Sequence, residues 1–185
     1  MQVSEPQVDS LGRIDAVRAN LVGAAASLVL VGGHLAIVDI VQGWAALGDF
    51  SVLVVLGWVA VGAVVHEVLH GVGFRVGGIG WSKIRFGVMW THLMPYAGCS
   101  EPMTVEVYRF AVLLPLWIAG VLPWLVGAAL GDHELAVAGA FLTAGAAGDC
   151  LVWNKARGLS PGTIVQDLTS DIGFRIVGTE RELNG

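Results

Sequence analysis

The chain has 185 residues, a mean hydropathy of +0.73 and only 14% charged residues, with ten Lys and Arg against fifteen Asp and Glu. A soluble domain of this length is usually about a quarter charged. The net charge of −5 gives no electrostatic footing for a nucleic-acid partner, and two cysteines, Cys99 and Cys150, make neither a disulfide framework nor a CxxC metal pair.

The first 18 residues are polar and mixed in sign, and the apolar run that follows is too long for the core of a cleaved signal peptide, so the sequence predicts a retained first helix. Residues 19–38 carry no charge, 50–74 only Glu67, 110–131 none, and 135–153 only Asp149. Each run approaches the ~20 residues that cross a ~30 Å hydrocarbon core. The expectation is an all-α integral membrane protein with four transmembrane helices, about residues 19–41, 50–74, 108–130 and 134–153. They form one membrane-embedded domain over 1–185, with a tail over 154–185. Helix one carries His34 and Asp39, and its Gly32 and Gly33 would allow the close packing of a homo-oligomer.

Helix two ends in VVHEVLHGVGF, where His66, Glu67 and His70 interrupt an apolar run. Gly77, Gly78 and Gly80 then break the helix. WSKIRFGVMW, Trp81 to Trp90, alternates Ile84, Phe86, Val88 and Trp90 with Lys83, Arg85, Gly87 and Met89, a period near two that predicts a short β-like segment or an interfacial stretch between helices two and three. Helix four carries Asp149 in GAAGDCLVW, and the tail, with IVQDL and GFRIV, reads as extended.

The basic residues orient the bundle. Arg13 and Arg18 precede helix one; Arg75, Lys83, Arg85 and Arg109 lie between helices two and three; Lys155, Arg157, Arg175 and Arg181 follow helix four. The two remaining connections, residues 42–49 and 131–134, hold none. Basic connections mark the cytoplasmic side, which places both termini and the β-like segment there.

His66-Glu67-Val68-Leu69-His70 is HExxH. Two histidines at i and i+4 share a helix face and can reach one ion, and the intervening glutamate can serve as general base. With five His and seven Glu, shuffled chains would show the pattern roughly once in 200. A catalytic zinc usually takes three protein ligands. At 1.5 Å per residue, His66 lies about 24 Å from the outer start of helix two and Asp149 about 21 Å from the outer start of helix four. The two therefore share a level, and Asp149 is the expected third ligand, with His92 of the connection in reserve. His34 is nearer mid-membrane and reads as a packing histidine, while Asp132 and His133 fall on the outer side.

HEVLHGVGF on a membrane helix with an aspartate on a later one resembles the site-2 protease type of zinc metallopeptidase. The similarity is greatest to a family of small four-helix zincin peptidases, in which a Cys–x–Glu–Pro-like stretch leads into the third span, here Cys99-Ser100-Glu101-Pro102, followed by Arg109 and Pro115. The resemblance implies one Zn2+ per chain on His66, His70 and Asp149, with Glu67 catalytic, and a membrane-associated protein as substrate. It implies that the substrate backbone lies extended beside the site, for which Trp81 to Trp90 is the natural strand. His92 and Glu101 are candidates to orient the substrate carbonyl or leaving group. Two rival readings are a non-catalytic zinc-binding membrane protein and a small proton- or ion-coupled transporter.

Overall fold

In the computed structural model, which describes residues 12–48, 50–89, 94–168 and 172–179, long apolar helices carry a small amount of sheet at one end. Strand β1 (Arg13–Ile14) leads into α1 (Ala16–Gln42), whose N-cap Asp15 accepts the Arg18 backbone N–H at 2.8 Å. Helix α2 (Val52–Val76) follows a short 3₁₀ turn and stops where Gly77 and Gly78 begin. Strands β2 (Ile84–Met89) and β3 (Met94–Cys99) form an antiparallel hairpin, Ile84 opposite Cys99. After β4 (Met103–Thr104) come α3 (Val105–Pro115), a π-helical stretch (Leu116–Val121) and α4 (Leu122–Leu130), which together form one long apolar helix. Helices α5 (His133–Gly145) and α6 (Ala147–Ala156) and strands β5 (Thr163–Asp167) and β6 (Ile172–Thr179) complete the chain.

Three helices are long and apolar enough to cross a membrane; α5 and α6 together would make a fourth, bent by 40°. The most apolar stretch of α2 has no buried position, and Leu28, Ile40 and Leu53 are about 80% exposed. The apolar surface thus faces outward, and the buried core gathers at the sheet end, around Phe74, Cys99, Val105, Tyr108, Val165 and Phe174. The β content exceeds the expected single segment: β1, β6, β5 and β4 form a four-stranded sheet in that order, besides the hairpin. The tail read as extended supplies two of those strands, and β1, from the N-terminal polar segment, pairs with β6.

The fourth predicted helix is broken at Ala146. The sequence there is Gly145-Ala146-Ala147-Gly148, and glycines without side chains neither favour helix nor hold it straight. The consequence is local and chemical: α6 gains its own N-terminus, and Asp149 falls in its first turn, where unpaired backbone N–H groups favour a carboxylate.

Glycines also set how closely the helices meet. A Cβ on Gly73 would stand 2.5 Å from the Ala111 Cα, so α2 and α3 touch backbone to backbone. One on Gly71 would stand 2.6 Å from the Phe86 ring, which docks the hairpin against α2. Basic residues tie the same end together. Arg109 donates to the carbonyls of Ala156 (3.1 and 2.7 Å) and Leu159 (2.7 Å), closing the C-terminus of α6 where backbone acceptors lack partners. Lys155 donates to the Arg13 carbonyl at 2.6 Å. At the opposite end the Ser51 N–H meets Glu134 at 3.0 Å. The start of α1, the end of α2, the start of α3 and the end of α6 therefore share one end.

Candidate metal centre

His66 and His70 stand one turn apart on α2, with ring centroids 4.9 Å apart. Asp149 of α6 reaches between them. Its Oδ2 lies 3.0 Å from His66 Nε2 and its Oδ1 lies 3.5 Å from His70 Nε2. One ligand atom from each of the three residues falls within 4.8 Å of the other two. The level shared by His66 and Asp149 along their helices is a contact in three dimensions.

The other ring nitrogen of His70 is engaged as well. Nδ1 lies 3.0 Å from the Ala111 carbonyl oxygen of α3, a geometry in which only the ring can donate. A neutral His70 carrying its proton on Nδ1 presents an unprotonated Nε2 to the Asp149 carboxylate. Two lone pairs facing each other at that distance require positive charge between or upon them, either a proton on a ring or a metal ion among the three. Donation from the far nitrogen to a carbonyl is also how metal-binding imidazoles are usually oriented. The donor set of two imidazoles and one carboxylate suits zinc and leaves a position open.

Glu67 lines the same cavity, which has a volume of about 320 Å³. Its walls are apolar side chains such as Val59, Ala63, Phe74, Phe141 and Leu142, and its polar side chains are the three cluster residues, Glu67, Tyr96, Tyr108 and Asp167. Strand β3 forms one side through Pro95, Tyr96 and Ala97, and the Ala97 backbone faces the Glu67 carboxyl. Among the described residues β3 is paired only with β2. Pro95, which has no N–H to donate, sits where an edge strand tolerates it.

Tyr108 and Asp167 escaped the sequence reading. Asp167 Oδ1 accepts from the Tyr108 hydroxyl at 3.0 Å and Oδ2 from the Cys99 N–H at 3.2 Å, which ties β5 to α3 and β3. Burial pushes the Asp167 carboxyl up to about 7. Its only signal in the sequence was a single acidic residue in the otherwise uncharged IVQDL.

The remaining candidates lie apart. Glu101 does not line the cavity; it accepts from Lys83 at 2.8 Å in a surface ion pair. The Glu101 N–H meets Cys99 Sγ at 3.4 Å, so the Cys-Ser-Glu-Pro stretch is a turn between β3 and β4. His92 lies outside the described residues. The strand beside the cluster is β3; Trp81 to Trp90, read as the substrate strand from its alternation, supplies β2, which does not line the cavity. His34 packs against His133, ring centroids 6.0 Å apart, away from the cluster.

The family model described as "Putative zincin peptidase" matches residues 59–158, just over half the chain and the whole stretch from the HExxH motif through Asp149. No curated protein and no solved structure matches the chain. The coverage and the motif it spans place this chain in that zincin peptidase family.

Proposed function

We propose that the protein is an integral-membrane zinc endopeptidase of the site-2 protease type, cutting a membrane-associated protein near the cytoplasmic face. The observation that carries this reading is the convergence of His66, His70 and Asp149, from helices far apart in sequence, beside Glu67 in one cavity. Family membership and the outward-facing apolar helices support it. The basic residues, gathered at the sheet end with the cluster, support a cytoplasmic placement of that end and of both termini.

His66, His70 and Asp149 would hold one zinc ion. When bound, zinc supplies Lewis acidity, lowering the pKa of a coordinated water to about 7 and polarising a carbonyl. The chain supplies the rest. Glu67 takes a proton from the attacking water as the new C–O bond forms, then delivers it to the amide nitrogen as the C–N bond breaks. The cavity-facing edge of β3 at Pro95 and Ala97 holds the substrate backbone extended beside it through its carbonyl acceptors. Apolar walls exclude bulk water from the reacting atoms.

The test is peptide-bond cleavage in detergent, read by mass spectrometry on a peptide library, with zinc content measured on the same samples. Wild type cleaves and Glu67→Gln keeps zinc but does not. Equal cleavage by the two would end the mechanism. The non-catalytic reading predicts zinc and no cleavage in either; the transporter reading predicts a protonated cluster that retains no metal.

A further inference from the structure

The hydrogen bond from His70 to Ala111 asks why a helical carbonyl is available at all. In an α-helix the carbonyl of residue 111 takes the N–H of residue 115. Residue 115 is proline, fully buried, and has no N–H. Its ring also crowds the carbonyl four residues back and tilts it off the helix axis. Ala111 is itself buried, so its carbonyl has no ready access to water and an unpaired one would be costly. The helix continues past Pro115 by widening into the π-helical stretch Leu116–Val121, a form often found beside functional sites. On the facing helix, Gly73 lies one turn beyond His70 and lets α2 close onto Ala111.

We propose that Pro115 is a positioning residue of the metal centre. By withholding a donor from the Ala111 carbonyl it leaves that oxygen to accept from His70 Nδ1, which fixes the ring's tautomer and turns Nε2 toward Asp149. Gly73 supplies the close approach that makes the bond reachable. This rests on the metal-binding reading of His66, His70 and Asp149. It gives Pro115 a purpose beyond shaping a helix: the residue acts on zinc through a carbonyl that it does not own.

Two variants separate the missing donor from the ring. Pro115→Ala restores an N–H at position 115. Replacement of Pro115 by lactic acid, through a backbone ester, removes the ring but still offers no N–H. Zinc affinity is measured by chelator competition on the detergent-purified full chain. Pro115→Ala is expected to bind zinc about 10-fold more weakly, the lower end of what loss of a ligand's supporting hydrogen bond produces, because a carbonyl has two lone pairs and the new amide shares it. The ester is expected to match wild type. In the zinc-loaded protein, ¹H–¹⁵N NMR should show the His70 Nδ1–H proton shifted downfield and protected from solvent exchange in wild type and ester, and less so in Pro115→Ala. Wild-type affinity and an unchanged Nδ1–H signal in Pro115→Ala would overturn the inference while leaving the metal centre standing. Equal loss in both variants would also overturn it, assigning the effect to the ring. Absence of zinc from wild type would bring down the metal-binding reading and this inference with it.

Discussion

Among the described residues two pairs of histidines pack together, and they differ in what faces them. His66 and His70 meet the Asp149 carboxylate, and His70 also meets a backbone carbonyl. His34 and His133, 8% and 7% exposed, face each other, and His34 Nε2 and His133 Nδ1 have no hydrogen-bond partner among the described residues. His34, like His66 and His70, interrupts an apolar helix, so a polar residue in an apolar run is not in itself a sign of chemistry. What distinguishes the first pair is convergence: a carboxylate brought from another helix, a supporting acceptor on a third, and a cavity on which the two histidines and the carboxylate open.

Breaking the comparison at Glu67, the proposed general base beside the first pair, should have the largest effect. Glu67→Gln is expected to lower cleavage by about 10²–10⁴-fold, the usual share of a general base, with zinc content unchanged. Next comes the carboxylate that the second pair lacks. Asp149→Asn should weaken zinc by at least about 100-fold in chelator competition, more than the loss of a supporting group would. The matching substitution Asp132→Asn, beside His133, should leave zinc affinity as in wild type. A zinc affinity that ignores Asp149 would move the third ligand elsewhere.

A second carboxylate in the same cavity sharpens the point by contrast. Asp167 faces Tyr108 and the Cys99 amide, and burial pushes it up to about 7 from an ordinary 3.8. The folded state therefore binds its proton more tightly than the unfolded chain does. The resulting stability is full below about pH 4 and is lost as pH rises through about 7, a contribution of up to about 4 kcal/mol. Thermal unfolding in detergent should show Tm falling across that window, and Asp167→Asn should flatten the fall. The smallest effect belongs to the outlying pair. His34→Leu removes a buried Nε2 that lacks a hydrogen-bond partner among the described residues and should raise Tm by about 2–4 °C, corresponding to about 1 kcal/mol. A lower Tm would mean that His34 has a partner of its own.

The elements of the cluster were legible because long apolar helices impose a ruler. A fixed rise per residue let a count along two apolar runs place His66 and Asp149 at one level, and they lie in hydrogen-bond contact. The long apolar helices were legible for the same reason. The break at Ala146 was written only in two glycines, whose effect depends on what the neighbouring helices allow. Which strand lines the cavity was not legible because the two partners of the hairpin show alternation unequally: β2 alternates cleanly, whereas β3, MPYAGC, holds a proline and a glycine and hides its pattern. Asp167 could not be placed, since a single acidic residue in a tail has no helical ruler to fix its depth, and Tyr108, at the start of the predicted third helix, had no visible partner without it. The link from Pro115 to His70 was likewise invisible, because it runs through the carbonyl of an alanine.

The most direct test is elemental analysis of the detergent-purified protein, for wild type, His66→Ala and the paired control His34→Ala. The account predicts about one zinc per chain in wild type and in His34→Ala, and none in His66→Ala. No metal in wild type after reconstitution with zinc, or zinc retained in His66→Ala, would contradict it.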